Sequence, residues 1–147
     1  MAETVEQRFV RLVQRLRAGG GRVTPQRLAI LRAVAEDPSH PSVEDVYRKV
    51  RVQFPCTSLA TVYKTLAILE EIGEVVEVAS VNEVSRYDGL NPYPHPHLIC
   101  SQCGCIMDLP VDDVTGLVRS LAGCAPQWRL TERVEIWGLC PKCQQGA

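Results

Sequence analysis

Four cysteines near the end of the chain have the spacing of a metal site. Cys100 and Cys103 form one Cys-x-x-Cys pair, and Cys140 and Cys143 form a second. Two intervening residues let both sulfurs of a pair face one tetrahedral ion, and two pairs supply the four-sulfur shell that zinc prefers in structural sites. The sequence therefore predicts a structural Zn²⁺ bound by these four thiolates.

Two histidines stand just before the first cysteine pair. His95 and His97 are separated by one proline. Residues two apart on an extended strand point to the same face, so both imidazoles can face one ligand. This pattern raises the question of a second, harder metal site beside the zinc.

The cysteines are interpreted as ligands because nothing in the sequence predicts export. The chain has 147 residues and seven cysteines. Its first residues lack a basic segment followed by an apolar run, and no stretch is long and apolar enough to cross a bilayer. In a reducing compartment, paired Cys-x-x-Cys motifs indicate metal or redox chemistry more often than disulfides. We therefore expect a cytoplasmic protein with no membrane partner.

The charges divide the chain into a basic front and an acidic back. Residues 1–64 hold eleven Lys or Arg and six Asp or Glu, whereas residues 65–147 hold five and eleven. A basic half is typical of a module that binds phosphates, and an acidic half suits cation binding. The net charge of −1 argues neither for nor against a nucleic-acid partner.

Helical periodicity and capping signals fill the front half. A first amphipathic helix ends at the glycine run 19–21. Thr24 caps a second helix, and Ser42 begins a third with a capping box. Thr57 or Ser58 then caps a fourth helix.

The fourth helix and the residues after it indicate a winged helix. On this helix we expect Leu59 to face inward and Thr65 to face outward. Two alternating runs, residues 74–81 and 84–88, predict a β-hairpin. Helices closed by such a hairpin form a winged helix, in which the start of the last helix meets base edges and phosphates.

The back half has the pattern of a small α/β domain. Asp112 and Asp113 begin a helix, and three runs alternate as strands do, residues 97–100, 105–109 and 129–137. A domain of this size needs a staple, which the zinc supplies, and an edge of its sheet is a ready dimer interface.

The predicted fold class is α+β with two domains. A winged-helix DNA-binding domain occupies residues 1–88, and a zinc-stapled α/β dimerisation domain occupies residues 95–147. Residues 89–94 lie between them, with two prolines, one glycine and no helical period, which predicts a hinge.

Six short strings stand in order along nearly the whole chain. They are Arg22-Val23-Thr24-Pro25-Gln26-Arg27, His40-Pro41-Ser42, Ala60-Thr61-Val62-Tyr63, His95-Pro96-His97-Leu98-Ile99-Cys100, Cys103-Gly104 and Trp137-Gly138-Leu139-Cys140. This series resembles the ferric uptake regulator (Fur) superfamily of bacterial metal-dependent repressors. The resemblance implies a homodimer that binds palindromic operator DNA, and not an enzyme acting on a small organic substrate.

The resemblance also implies two metal sites. The four cysteines match a structural zinc site. A regulatory site joins the DNA-binding domain, the hinge and the dimerisation domain, and the matching positions are His40, Asp88, His95, His97 and Asp108. Nitrogen and oxygen ligands of this kind suit Fe(II) or Mn(II). An ion that draws ligands from both domains would hold the two recognition helices of the dimer at matching half-sites.

Two aspartates make the chain similar to the peroxide-responsive (PerR) branch of that family. Iron-uptake regulators commonly have glutamates at the positions of Asp88 and Asp108. In the peroxide branch, iron reacts with hydrogen peroxide, histidines matching His40 and His95 are oxidised, and the repressor releases DNA. A further metal site of iron-uptake members has no match here, because its positions hold Pro94, Pro96 and Glu132.

The DNA contacts that the resemblance implies lie in the basic half. Arg22 is expected near the minor groove. Four residues are expected at the start of the recognition helix, namely Ser58, Thr61, Tyr63 and Lys64.

Two alternative functions stay open. An iron, manganese, zinc or nickel uptake regulator would use the same fold and sites, whereas a thiol redox switch would oxidise its cysteine pairs and release zinc. A zinc hydrolase or deaminase is disfavoured, because a four-thiolate shell leaves no open position and no H-x-E or H-E-x-x-H motif occurs. Cys56, Cys105 and Cys124 have no assigned role, although Cys105 neighbours the zinc pair and is able to compete as a ligand or to oxidise first.

Overall fold

The computed structural model describes residues 3–78, 81–110 and 114–146. The chain divides into two compact units, Met1–Pro92 and Tyr93–Ala147. Among the described residues, no helix combines the length and the apolar character that a bilayer span requires.

Four helices form most of the first unit. They are α1 (Val5–Ala18), α2 (Pro25–Glu36), α3 (Val43–Gln53) and α4 (Leu59–Glu71). The hydroxyls of Thr24, Ser42 and Ser58 accept hydrogen bonds from the first turns of α2, α3 and α4, which confirms the predicted caps. Apolar faces of all four helices meet in one core, which includes Leu12, Leu16, Ile30, Leu31, Val46, Val62 and Leu66.

A two-stranded hairpin completes the first unit. Strands β1 (Val76–Val78) and β2 (Arg86–Asp88) pair antiparallel, with Val76 opposite Asp88. The prediction of a hairpin is confirmed, although both strands are shorter than the alternating runs. Helices followed by a hairpin are the order of elements that a winged helix requires.

Two side chains of α4 have the opposite exposure to the one predicted. Leu59 is 37% exposed, whereas Thr65 is fully buried. The Thr65 hydroxyl donates a hydrogen bond of 2.7 Å to the carbonyl oxygen of Thr61 one turn earlier. Its polar group is therefore satisfied inside the helix, which makes burial of a threonine inexpensive.

The second unit contains a three-stranded sheet and two helices. The elements are β3 (His97–Cys100), β4 (Ile106–Asp108), α5 (Val114–Ala122), β5 (Glu135–Gly138) and α6 (Pro141–Gln145). Strand β3 is central, antiparallel to β4 and parallel to β5. The predicted helix start at Asp112 and Asp113 lies outside the described residues.

The strand predicted over residues 129–137 is wrong for most of its length. Only Glu135–Gly138 is extended as a strand, and it pairs residue by residue with the four residues of β3. A strand needs a hydrogen-bonded neighbour, and β3 is too short to offer one to residues 129–134. The alternation of residue types in the sequence therefore covers a longer segment than the strand that forms.

The second unit buries little apolar surface. Among its described residues the buried apolar side chains are Ile99, Cys100 and Val114. Met107 and Ile136 flank Leu98 across the sheet and are 55% and 46% exposed. A unit this small with so small a core needs further stabilisation from a metal or from a second chain.

Candidate metal centres and nucleic-acid interface

The four cysteines predicted to bind zinc come together at one end of the second sheet. Cys100 is the last residue of β3 and lies in register with Gly138, the last residue of β5, so the two parallel strands bring both cysteine pairs to the same end of the sheet. The Sγ atoms of the four cysteines all lie within 4.8 Å of one another. The Sγ atoms of Cys103 and Cys140 are 3.7 Å apart. Four sulfurs this close have the composition and proximity of a tetrahedral zinc shell.

Backbone donors favour the thiolate form that metals bind. The N–H groups of Cys103 and Cys140 point at the Cys100 sulfur and lower the pKa of Cys100 to about 5. The N–H of Cys143 likewise lowers the pKa of Cys140. In contrast, the Cys143 thiol hydrogen-bonds to Cys140, which raises the pKa of Cys143 to about 12. Neighbouring sulfurs thus share protons, and a divalent cation is the partner that allows all four to ionise.

His40 and Asp88 form a buried pair in the first unit. The Nε2 atom of His40 lies 3.6 Å from Oδ2 of Asp88, and both side chains are less than 5% exposed. The other carboxylate oxygen of Asp88 accepts hydrogen bonds from the backbone N–H groups of Leu90 and Asn91, at 3.0 and 2.9 Å. These bonds fix the carboxylate and leave Oδ2 directed at the histidine.

The backbone at His40 is held in an unusual conformation. Its φ of 56° is left-handed, which is uncommon for a residue with a side chain. Arg86 donates hydrogen bonds to the carbonyl oxygens of His40 and Ser39, and the N–H of Tyr87 donates to Pro41 at 3.0 Å. Strand β2 therefore clamps the loop that carries His40. A strained backbone that several contacts hold in place is typical of functional sites.

His95, His97 and Asp108 form a second group, within the second unit. His97 on β3 pairs in register with Asp108 on β4. Oδ1 of Asp108 lies 3.2 Å from Nε2 of His95 and 3.5 Å from Nε2 of His97. The two imidazole centroids are 4.3 Å apart, and Nδ1 of His95 lies 2.6 Å from the carbonyl oxygen of Tyr93. Two imidazoles and one carboxylate are a donor set that suits Fe(II).

One carboxylate lies near this group that was not predicted from the sequence. Glu135 on β5 lies in register with His97, on the opposite side from Asp108. Arg133 donates to Oε1 of Glu135 at 2.8 and 2.9 Å, so this carboxylate has a cationic partner. Its position beside His97 follows from the pairing register of β3 and β5, which the sequence alone does not give.

Most of the residues predicted to contact DNA line one open cavity of about 400 Å³ in the first unit. Arg22, Ser58, Thr61 and Lys64 are among them, whereas Tyr63 lies on α4 outside the lining and is half exposed. The described lining residues include three cations and no acidic side chain, and the start of α4 opens into it. Basic side chains, hydroxyls and a helix N-terminus together suit phosphate oxygens.

This cavity holds one more cation, which was not predicted from the sequence to contact DNA. Arg27 lines it and donates a 2.9 Å hydrogen bond from Nη1 to the carbonyl oxygen of Arg22. The bond ties the loop before α2 to the helix itself. Helical spacing from the Thr24 cap was the signal that would have placed Arg27 on this side.

Comparisons with known proteins agree over almost the whole chain. The sequence model of the ferric uptake regulator family matches residues 18–130. The peroxide-responsive repressor PerR of Staphylococcus aureus is 36% identical over 143 residues, which are 97% of this chain and 95% of that protein. The ferric uptake regulator of Helicobacter pylori has a TM-score of 0.78 over 97% of this chain and 95% of its own, at 22% identity, which shows a shared fold. PerR from Streptococcus pyogenes has a TM-score of 0.52 at 31% identity over 92% of each chain.

Proposed function

The chain belongs to the ferric uptake regulator family, and from that premise we propose that it is a dimeric transcriptional repressor that releases its operator when peroxide oxidises a ligand histidine. Metal-dependent regulation is the function of the family. The observation that carries the finer proposal is the pair of His–Asp groups, one in each unit, each with nitrogen and carboxylate oxygen within 4 Å.

The proposed regulatory ligands are His40 and Asp88 from the first unit with His95, His97 and Asp108 from the second. Every member offers nitrogen or oxygen, and none offers sulfur, which favours Fe(II) or Mn(II) over zinc. Ligands from both units let metal binding bias the arrangement of the dimer toward the form that binds DNA. By linkage, DNA must then raise the affinity for metal by the same factor.

Peroxide sensing would use the histidines themselves. A bound Fe(II) would supply the redox chemistry that activates hydrogen peroxide beside its ligands. A ring carbon of His40 or His95 would gain one oxygen atom from peroxide while the other peroxide oxygen leaves as water, and the oxidised ring would be a poorer ligand. Loss of one ligand removes the bias toward the DNA-binding form, and the operator is released.

The remaining parts have supporting roles. Cys100, Cys103, Cys140 and Cys143 would hold a structural zinc that stabilises the second unit, whose apolar core is small. A second copy of the chain would cover the apolar sheet face that contains Ile136, giving a homodimer suited to a palindromic operator. The basic cavity at the start of α4 would contact operator phosphates, and such a repressor acts in the cytoplasm.

Metal-dependent DNA binding tests this proposal. Double-stranded oligonucleotides selected from a random pool by the Mn(II)-loaded protein serve as the operator probe. Asp108→Asn removes the carboxylate shared by two histidines, so we expect Mn(II) affinity and metal-dependent DNA binding to fall by about 10-fold or more. Glu132→Gln, an exposed carboxylate in the same unit, is the matched control. Equal DNA binding with and without metal in the wild type would overturn the proposal.

One observation favours the thiol switch as a second candidate. Cys103 and Cys105 are exposed at the edge of the four-cysteine cluster and are therefore open to oxidants. That mechanism predicts cysteine oxidation with zinc release, whereas the proposed mechanism predicts histidine oxidation with zinc retained.

A further inference from the structure

Gly89 follows the proposed metal ligand Asp88 and is buried against helix α2. A Cβ atom at this position would lie 2.1 Å from Cγ1 of Val34 and 3.2 Å from the carbonyl oxygen of Val34. Carbon atoms in contact are ordinarily about 3.5–4.0 Å apart, so the space that a side chain would need is already filled. No side chain fits at residue 89 unless the turn or the helix moves.

Space, and not backbone conformation, requires a glycine here. The φ of Gly89 lies outside the left-handed region, in contrast to that of Gly73. Alanine is therefore able to adopt the backbone of Gly89. Val34 has little freedom to make room, because it is buried in the core and a valine in a helix has one strongly preferred rotamer. The close approach of the turn to α2 thus depends on the missing side chain.

Arg8 on α1 holds the same turn. Its Nε donates a buried 2.7 Å hydrogen bond to the carbonyl oxygen of Gly89. Its Nη1 pairs with the carboxylate of Glu74 at 2.5 Å, which keeps the guanidinium in place. The turn is therefore fixed both by packing on α2 and by a charge-assisted hydrogen bond from α1.

Both contacts bear on the carboxylate of Asp88. One of its oxygens accepts hydrogen bonds from the N–H groups of Leu90 and Asn91, which belong to the same turn. The other oxygen lies 3.6 Å from Nε2 of His40. A shift of Gly89 away from α2 would carry these two N–H groups with it and turn the carboxylate away from His40. A binding site tolerates only about 0.5 Å of error in the position of a ligand.

We propose that Gly89 is a positioning residue for the regulatory metal. The inference rests on the proposed regulatory site, in which Asp88 is a ligand. Because residue 89 has no side chain, the turn docks on α2, Arg8 holds it there, and the Asp88 carboxylate is fixed before the ion arrives. Little ordering of this ligand is then needed on binding, which raises the affinity for Mn(II) and Fe(II).

Mn(II) titration of full-length variants tests this role. Gly89→Ala should lower the Mn(II) affinity by about 10-fold or more. Val34→Ala/Gly89→Ala removes the colliding Cγ1 atom, so it should restore the affinity to that of Val34→Ala alone. Gly123→Ala is the matched control, because the nearest described atom to a Cβ there is the carbonyl oxygen of Ser120, at 3.4 Å.

Urea unfolding of the same metal-free chains separates positioning from stability. A merely structural Gly89 would change the free energy of unfolding and leave the Mn(II) affinity of the folded chain unchanged, which would overturn the proposal. A loss of affinity that Val34→Ala does not restore would overturn it as well.

If Gly89→Ala does not fold, Arg8→Lys decides. Lysine keeps a cation beside Glu74 but replaces the guanidinium fork, which spans Glu74 and Gly89, by one nitrogen. We expect the Mn(II) affinity to fall by about 10-fold, and an unchanged affinity would overturn the positioning role. A wild type whose Mn(II) affinity is not lowered by Asp108→Asn would overturn the proposed regulatory site itself.

Discussion

Arg8 is a buried cation that joins three parts of the first unit. Its side chain is 2% exposed, and its Nε donates a 2.7 Å hydrogen bond to the carbonyl oxygen of Gly89. Its two terminal nitrogens donate to the carboxylate and the backbone carbonyl of Glu74. Helix α1 is therefore tied both to the segment that leads into β1 and to the residue that follows Asp88.

Replacing Arg8 should be costly. Arg8→Met removes all these bonds and leaves Glu74 with Arg15 as its nearest cation, at 3.0 Å. We expect the free energy of unfolding to fall by about 3 kcal/mol, because a buried carboxylate loses its main partner. Urea unfolding of Arg8→Met beside Arg17→Met, an exposed arginine on the same helix, measures the loss. Equal stability of the two variants would contradict the structural role of Arg8.

The start of α3 is stabilised by an ionised capping box. Burial alone would raise the pKa of Asp45, but hydrogen bonds from the backbone N–H and hydroxyl of Ser42, and from Arg48, lower it below its usual value. A lowered pKa in the folded state means that this carboxylate contributes stability above its unfolded pKa of about 3.9. That contribution is lost as the pH falls through the lower folded pKa.

Asp45→Asn should therefore destabilise the protein in a pH-dependent way. We expect a loss of about 1 kcal/mol at pH 7, the usual size for a helix cap, and a smaller difference from the wild type as the pH falls toward about 4 and below. Chemical unfolding at a series of pH values measures both. The control is Glu44→Gln, which changes an exposed carboxylate in the same turn. A difference that stays constant with pH would show that the charge of Asp45 is not involved.

Helix α4 carries the cation that is best placed to meet a phosphate. Lys64→Ala should weaken operator binding to a similar extent for all sequences and lower the slope of log K against log salt by about one. Fluorescence anisotropy at several salt concentrations gives this slope. Lys49→Ala is the control, because Lys49 pairs with Asp37 at 3.2 Å and does not line the basic cavity. An unchanged slope for Lys64→Ala would remove this residue from the interface.

Local signals in the sequence predicted which helices and strands form better than they predicted how long the strands are. Hydroxyl caps and the glycine run set the helix boundaries of the first unit because each acts within one turn of the chain. The length of a strand depends on the length of the strand that pairs with it, which is distant in sequence. For that reason residues 129–134 alternate in residue type without joining the sheet. The buried Thr65 illustrates the same limit, since helical spacing does not reveal that a hydroxyl bonds within its own helix.

The candidate sites were predictable to different degrees. Cys-x-x-Cys spacing is local and identified all four clustered sulfurs. The roles of His40 and Asp88 came from family resemblance, and their 3.6 Å approach requires the hairpin that closes the first unit.

The proposed regulation requires that the whole molecule is a homodimer. Ile136 lies beside Leu98 on an exposed apolar sheet face of the second unit. Ile136→Lys places a charge on that face, so we expect the dimer to dissociate about 10-fold or more readily and to lose operator affinity. Sedimentation equilibrium measures the dissociation constant, with Val52→Lys, at an 86% exposed position of the first unit, as control. A dimer of unchanged affinity would place the interface elsewhere.

Peptide mass spectrometry with parallel measurement of operator binding tests the proposed response to peroxide. Protein loaded with Fe(II), or separately with Mn(II), is treated with a small excess of hydrogen peroxide. We expect one added oxygen on the peptide containing His40 or His95, only with Fe(II), together with loss of operator binding. Intact histidines with DNA binding that still follows metal occupancy would identify a metal-uptake regulator instead, and oxidised cysteines with released zinc would identify a thiol switch. Either result would contradict the account.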